Sequence, residues 1–532
     1  MASRRHEGIA GRVPRLAFAA VTTVLLGVLA WELWGAVSGF VATAQAWLPY
    51  PYPRPGSEGL MLYETLLMRG GADLYGPITQ SSFISGPYPP VYLWLAGRVM
   101  PAVPGFFDGR SISMWAALAV AALAAGSVTV SACANSERDT RPTGRLLALG
   151  GLAGLIAAGL WLACPPVQIW ATRFRADMLM MAFMAAGLFC VVLGSVSPRS
   201  PSFVLTWLGI PFFVLALYTK QTAIAGPMAA AAYLLVRDWK RGLAWVAGLG
   251  IVGGLPFLAL NLSSDGWFYL KMVSYHSLPW SWPTLSRLLV AWQEDHLLLI
   301  LAALGYAAWT IRSRRNDPLT WYLLATLLTL PTAGVVGADH NHLLPVDLAL
   351  VLALGAALAA SVSRQPPEGN TQSAIRNPHY VLRFAFCALL LAAIGFLQMA
   401  STPADWYGPD MAMPGADVQR QLHKIVEMVR AGPPGKYFAD DPGLLALASK
   451  TTDYDDPFTM TALAAAGRWD ASTLEAQFRE GSFPIVMLAG DVSDPPHVPL
   501  RADILTPEMR AALRSGYRIL YPDVYFTYVP RR

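Results

Sequence analysis

Charge is scarce in this chain. Only 14% of its 532 residues are Asp, Glu, Lys or Arg, while 55% are hydrophobic and the mean hydropathy is +0.41. Those values point away from a string of soluble domains and towards a protein mostly buried in lipid. The net charge of +5 is small for the length, and no regular basic stripe or RNA-binding signature is present, which excludes nucleic acid as a partner. Cysteine is scarce as well. Cys133, Cys164, Cys190 and Cys387 all lie in or beside apolar segments, so the polar C-terminal stretch has no disulfide whatever its compartment. Their spacings match no metal motif, and each is expected to be a buried apolar thiol.

What the chain has in abundance is long apolar runs. Arg4, Arg5, Arg12 and Arg15 precede the first, which begins at Leu16, is too long for a signal-peptide core and ends at no small-residue cleavage site. It reads as an uncleaved first span. Spans of roughly 17–25 residues are expected near 15–36, 111–134, 146–163, 178–195, 203–219, 221–236, 242–260, 296–311, 319–336, 343–362 and 381–400. The fold class is therefore an α-helical polytopic membrane protein of about eleven transmembrane helices. A further apolar stretch, 89–104, is short, opens with a proline pair and carries Arg98.

Basic residues are retained on the cytoplasmic side. With a cytoplasmic N-terminus and 89–104 lying along the membrane, the clusters "SERDTRPTGR", "SPRSP", "RDWKR", "RSRRNDP" and "SRQPPEGNTQSAIRNPHYVLR" all fall on that side. If 89–104 crossed, the bias would be lost. Residues 37–110 then form a large extracytoplasmic loop within a membrane domain 1–400, and 401–532 form a small extracytoplasmic α/β domain. In that tail the strand-like runs "PIVMLAG" and "RILYPDVYFTYV" alternate with helix-like runs at 416–430, 472–480 and 507–515.

The unusual polar residues gather on the outer face. "SEGLMLYETLLMRGGADLY" reads as a short helix with Ser57 as N-cap, Glu58 in its first turn and Gly70-Gly71 as its stop. Glu58 and Glu64, six residues apart, fall on different faces, and Glu64 reads as solvated. Arg173, Arg175 and Asp177 sit in "CPPVQIWATRFRADMLMM", where snorkelling and capping compete with a phosphate or carboxylate partner. Lys220, between two spans, either reaches for headgroups or binds a phosphate. Asp339, His340, Asn341 and His342 crowd another outer turn. They admit a divalent metal, but alternate spacing on a loop singles none out, so no metal ligand and no cofactor is assigned. Tyr88, Tyr92 and Trp94 suit the membrane interface.

"SEGLML…GGADLY", "GPYPPVYLWL", "RFRADMLMMAFMAAGL", "YTKQTAIAGP" and "GADHNHLLP", in that order over roughly 15–400, resemble the GT-C class of integral-membrane glycosyltransferases. Within it they are most similar to the branch of protein O-mannosyltransferases and aminoarabinose transferases. Members take a sugar from a polyprenyl-phosphate carrier on the outer leaflet and pass it to an acceptor. The resemblance implies a catalytic base at Glu58, a second acid at Asp177 and a cation at Lys220. Where family members often have an Asp-Glu pair, this chain has Ser57-Glu58. Carrier phosphate is expected on Arg173, Arg175 and Lys220, and sugar or acceptor on Tyr88, His340, Asn341 and His342.

The expected function is thus an inverting hexosyl- or pentosyltransferase of a bacterial plasma membrane. Its donor is a polyprenyl-phosphate-linked sugar, and its acceptor a lipid, a polysaccharide or a protein. A carboxylate would take the acceptor proton, and fixed cations would stabilise the departing phosphate. The competing readings are a lipid-linked sugar transporter or flippase and a cell-envelope assembly factor. Against the transporter stand the absence of an obvious internal repeat and the near absence of mid-helix charges.

Overall fold

The computed structural model describes residues 12–55, 57–134, 144–196, 203–275, 278–363, 395–396, 412–492 and 505–531. In chain order the first helices are α1 (Arg12–Trp47), α2 (Glu58–Arg69), α3 (Pro90–Val99), α4 (Phe107–Ala134) and α5 (Gly144–Ala163). At Cys164 the chain breaks, because Pro165 and Pro166 cannot donate to the helical ladder; they can, however, open a new helix. That helix, α6 (Pro165–Ala171), leaves α5 at 69°.

There follow α7 (Asp177–Ser195), α8 (Phe203–Thr219), α9 (Ala225–Arg237), α10 (Trp239–Ser263), α11 (Trp282–Arg312), α12 (Pro318–Thr329) and α13 (Leu344–Ser363). Several start on side-chain caps: Asp238 accepts from the backbone N–H groups of Lys240 and Arg241, Ser281 from Thr284 and Asp317 from Thr320.

Ten of the expected spans fall on these helices, and 381–400 lies outside the described residues except for 395–396. Among the described residues five helices are long and apolar enough to cross a bilayer, or six if α5 and α6 are one broken span. The helices are apolar nearly all round, as lipid-facing and core helices are. α4 packs on α5 and α7, α7 on α8, and α13 lies among α4, α5, α11 and α12. α10 faces outward, with only 6% of its apolar window buried.

α3 has ten residues, about 15 Å of helix against a hydrocarbon core of about 30 Å. It is too short to span. Tyr92 on α3 is not interfacial as expected; it is buried and donates to the Gly109 carbonyl at 3.0 Å, while Trp94 is exposed. Ser57 is not the expected side-chain cap. It sits in the left-handed region at φ 73° and its hydroxyl caps nothing, although its carbonyl accepts from Met61 N. Gly71, at φ 79°, does supply the left-handed stop. Of the cysteines only Cys164 is fully buried; Cys133 and Cys190 are half-buried, and Cys387 lies outside the described residues.

Residues 412–531 contain α14 (Ala416–Ala431), β1 (Phe438–Ala439), α15 (Pro442–Leu447), α16 (Pro457–Ala465), α17 (Ser472–Glu480), β2 (Val486–Leu488), α18 (Pro507–Gly516), β3 (Tyr517–Pro522) and β4 (Phe526–Pro530). The sheet order is β1-β2-β4-β3, with β1/β2 parallel and the other pairs antiparallel.

This region packs on the loop that carries α2. Phe83 bridges Tyr454 in parallel and lies in the same apolar core as Phe438 and Phe478. Tyr63 Oη donates to the Thr452 carbonyl at 2.8 Å and accepts from Thr452 N at 3.0 Å. α15 lies against α2 so closely that a Cβ on Gly59 would sit 1.5 Å from Asp441 Oδ1.

Candidate active site

Glu58 opens α2 inside the protein, not over a cavity. Its Oε1 accepts from Arg110 Nε at 2.9 Å and Phe174 N at 2.6 Å; its Oε2 accepts from Arg54 N at 2.8 Å and Arg110 Nη2 at 2.6 Å. A carboxylate has about four lone-pair sites, and here all are taken. Arg110 spends its remaining donors on the carbonyls of Trp47, Tyr50 and Tyr52. Burial alone would raise the Glu58 pKa. The charge and hydrogen bonds of Arg110, the charge of Arg54 and the Phe174 N–H outweigh it and hold the carboxyl below its ordinary value. Acidity does not set it apart, since at Asp177 too the effect of burial is outweighed, by Lys220 and Arg175, which hold that carboxyl below its ordinary value. What does is that Glu58 has no lone pair open to take a proton, while Asp177 keeps one oxygen without a hydrogen-bond partner. The geometry of Glu58 is that of an anchor joining α2, α4 and the 172–176 turn, which runs against the role that the resemblance implies.

Glu64 is not solvated as expected but wholly buried. Its Oε1 accepts from Gly86 N at 2.8 Å and Ser85 Oγ at 3.2 Å, and its Oε2 has no hydrogen-bond partner. Gly86 holds φ 51°, and a Cβ there would meet the Leu74 carbonyl at 2.8 Å, so the turn requires glycine. Ser85 N donates to Asp455 Oδ1 at 2.8 Å, which sets a second buried carboxyl beside the first. Burial, then the neighbouring Asp455, push Glu64 well above the usual carboxylate range; burial and Asp456 push Asp455 up to about 7. Lys271 Nζ donates to the carbonyls of Leu74 and Ile84 close by.

The loop 85–88 continues from this acid pair to the cations. Tyr88 Oη accepts from Arg175 Nη2 at 2.6 Å, and Gln221 donates to the Pro87 carbonyl at 3.1 Å. Arg175 also lies over the rings of Tyr88 and Trp170. Asp177, fully buried at the start of α7, is the hub: its Oδ1 accepts from Lys220 Nζ at 2.5 Å and Asn341 Nδ2 at 2.8 Å. Its Oδ2 stands 3.5 Å from Arg175 Nε and has no hydrogen-bond partner.

Arg173 donates to the Pro55 carbonyl at 2.9 Å and lies over Trp170. His340 Nδ1 is 2.7 Å from Asp339 Oδ1, a contact that helps hold the Asp339 carboxyl below its ordinary range against the effect of burial. His342 is pushed down to about 4, by burial first and then by the Lys220 charge.

Arg175, Asp177, Lys220, Asn341 and Tyr88 are therefore brought into one network from four separate turns, with Arg173, His340 and His342 at its border. Glu58 stands apart, one turn away through Phe174.

No family model and no curated protein matches the sequence. Among solved structures, ArnT from Cupriavidus metallidurans is similar in its apo state. The TM-score is 0.55 and the identity 15%, over 98% of this chain and 98% of that one. The same protein bound to undecaprenyl phosphate gives TM-score 0.55 and 15% identity over 93% of this chain and 98% of that one. The chain has the ArnT fold. At that identity the likeness establishes fold alone. Within this ArnT-like frame, sequence reasoning missed Arg54, Arg110, Lys271 and Asp455. Arg110 was readable only as the polar edge of a span, and Asp455 as one acid among several in a polar tail.

Proposed function

We propose that this chain is an inverting glycosyltransferase of a bacterial plasma membrane, moving a sugar from a polyprenyl-phosphate carrier to an acceptor on the extracytoplasmic face. The observation that carries it is the gathering of Arg175 and Lys220 on the buried carboxylate of Asp177, in a fold shared with a protein solved with undecaprenyl phosphate. Buried cations held by a single carboxylate are a preformed anion site.

Arriving carrier phosphate takes Lys220 and Arg175 as its partners. As the glycosidic bond breaks, the charge gained by the leaving phosphate is stabilised by these fixed cations. Asp177, relieved of its ion pairs, has Oδ2 to accept the proton of the attacking hydroxyl. The new bond joins acceptor oxygen to sugar carbon, the old carbon–oxygen bond breaks with its electron pair kept by the phosphate oxygen, and the proton rests on Asp177. Tyr88, Asn341, His340 and His342 border the place that sugar and acceptor would take. Glu58 holds the turn that carries the cations.

Eleven spans with a cytoplasmic N-terminus give the sidedness, with 37–110 and the 401–532 domain outside. The packing of residues 452–455 on 83–85 supports that arrangement, since it requires both to lie on one side.

The second reading, a lipid-linked sugar transporter, is favoured by one observation. Asp295 and His296 lie near the middle of α11, and titratable groups at mid-helix suit alternating access.

Native mass spectrometry of the nanodisc-embedded protein with undecaprenyl phosphate tests the anion site. Wild type retains one carrier lipid and Lys220→Ala loses it. Equal retention by both would remove the site from Lys220.

A further inference from the structure

Beneath the outer turns, three side chains from two helices and a helix break converge. Cys164 sits at the break between α5 and α6, His296 in α11 and Asp347 in the first turn of α13; all are buried, and one ligand atom of each lies within 4.8 Å of the others. The ring of His296 is oriented from outside. Its Nδ1 is 3.0 Å from the Trp292 carbonyl, which can only accept, so Nδ1 carries the proton of the neutral ring and Nε2 turns its lone pair to the cluster. Trp292 also stacks on the imidazole and donates to Asp347 Oδ1 at 2.6 Å.

Cys164 Sγ is 3.1 Å from His296 Nε2, and Asp347 Oδ1 is 3.6 Å from the same nitrogen. Asp347 Oδ2 is buried with no hydrogen-bond partner. One thiol proton can serve the sulfur–nitrogen contact, and the Asp347 carboxyl then faces the same nitrogen without a hydrogen bond to it.

We propose that Cys164, His296 and Asp347 bind a zinc ion. Thiolate, imidazole and carboxylate are zinc's ordinary ligands, and with zinc's bond lengths a tetrahedral arrangement holds such atoms roughly 3.3–3.6 Å apart. Binding releases the thiol proton and any proton held by the carboxyl, and one thiolate and one carboxylate neutralise the ion within an apolar interior.

The site explains how the outer turns are held. Cys164 leads through α6 into the 172–177 turn, and Asp347 follows His342 by one helical turn. One ion would tie both outer turns to α11. No local spacing announces it, because its ligands come from distant parts of the chain. It does not depend on the transferase reading.

The test is the metal content of the full chain, purified through a tag without histidine into nanodiscs and measured by inductively coupled plasma mass spectrometry. The expected result is about one zinc per chain, lost in Cys164→Ala and Asp347→Asn and kept in Cys190→Ser. Cobalt-loaded wild type should show a sulfur-to-cobalt charge-transfer absorption that Cys164→Ala lacks. Should those variants fold poorly, chelated wild type serves instead: its Tm should fall and be restored by added zinc. Wild type free of zinc whose Tm ignores both chelator and zinc would establish a cluster held by protons alone. Zinc retained by Cys164→Ala would overturn the assignment equally.

Discussion

Glu58 and Arg110 meet through two hydrogen bonds, 2.9 and 2.6 Å long, at a place where neither side chain is exposed. The pair joins the start of α2 to the start of α4, and Phe174 N ties the cation-bearing turn to it. Breaking one partner of a buried ion pair costs about 3–5 kcal/mol, because the other charge is left uncompensated. Glu58→Gln and Arg110→Met are each expected to lower Tm strongly, with the double variant far less destabilised than the sum. Thermal unfolding in nanodiscs checks this. A Glu58→Gln protein with wild-type Tm and no transfer would return the base to Glu58.

Lys220 and Asp177 should separate in their effects. Lys220→Ala removes a charge-assisted contact to phosphate, about 1.5–3 kcal/mol, and should weaken carrier binding by roughly ten- to a hundredfold. Asp177→Asn keeps the shape, removes the proton acceptor, and should lower turnover by roughly 10²–10⁴-fold while binding survives. Equilibrium binding measured beside single-turnover transfer distinguishes the two.

Tyr88 Oη holds Arg175 at 2.6 Å. Tyr88→Phe keeps the ring beneath the guanidinium and removes that charge-assisted hydrogen bond, worth about 1.5–3 kcal/mol, but takes away no group that itself meets the phosphate. Carrier affinity should fall by less than in Lys220→Ala. An affinity loss equal to that of Lys220→Ala would show that Tyr88 itself contacts the ligand.

The contact between the outer loop and the C-terminal sheet region should be pH-dependent. Glu64 and Asp455 have folded pKa values above their unfolded ones, Asp455 at about 7. Each therefore contributes stability that is fully present below the unfolded pKa and lost as pH rises through the folded one. Hydrogen-exchange protection at 83–85 and 452–455, taken relative to the intrinsic base-catalysed rate, should be high at acidic pH and fall as pH rises through the neutral range, with Lys271 limiting the loss. Asp455→Asn should flatten that dependence. Unchanged protection across the range would show that the pair does not titrate there.

Most of the helical frame was legible in the sequence, because apolar runs bounded by Pro, Gly and basic loops leave few alternatives in lipid. The turns bearing Arg175, Asp177, Lys220 and Asn341 were legible as separate motifs, and the structure joins them. Glu64 was misread because helical periodicity places a residue on a face without saying what covers it, and here residues 85–86 and Asp455 do so. Ser57 misled for a similar reason: residue type suits a cap, but the chain enters α2 left-handed. Cys164, His296 and Asp347 were invisible, since no sequence window holds two of them.

Proton transfer at Asp177 beside a carrier phosphate is the step that separates a transferase from a transporter. The decisive measurement is release of undecaprenyl phosphate from a panel of labelled undecaprenyl-phosphate sugars by the purified protein in nanodiscs, supplied with acceptor-rich membrane extract. Wild type should release the carrier from at least one donor, and folded Asp177→Asn should not. No release from any donor, with the labelled lipids instead moved intact between leaflets, would contradict the transferase and favour the transporter.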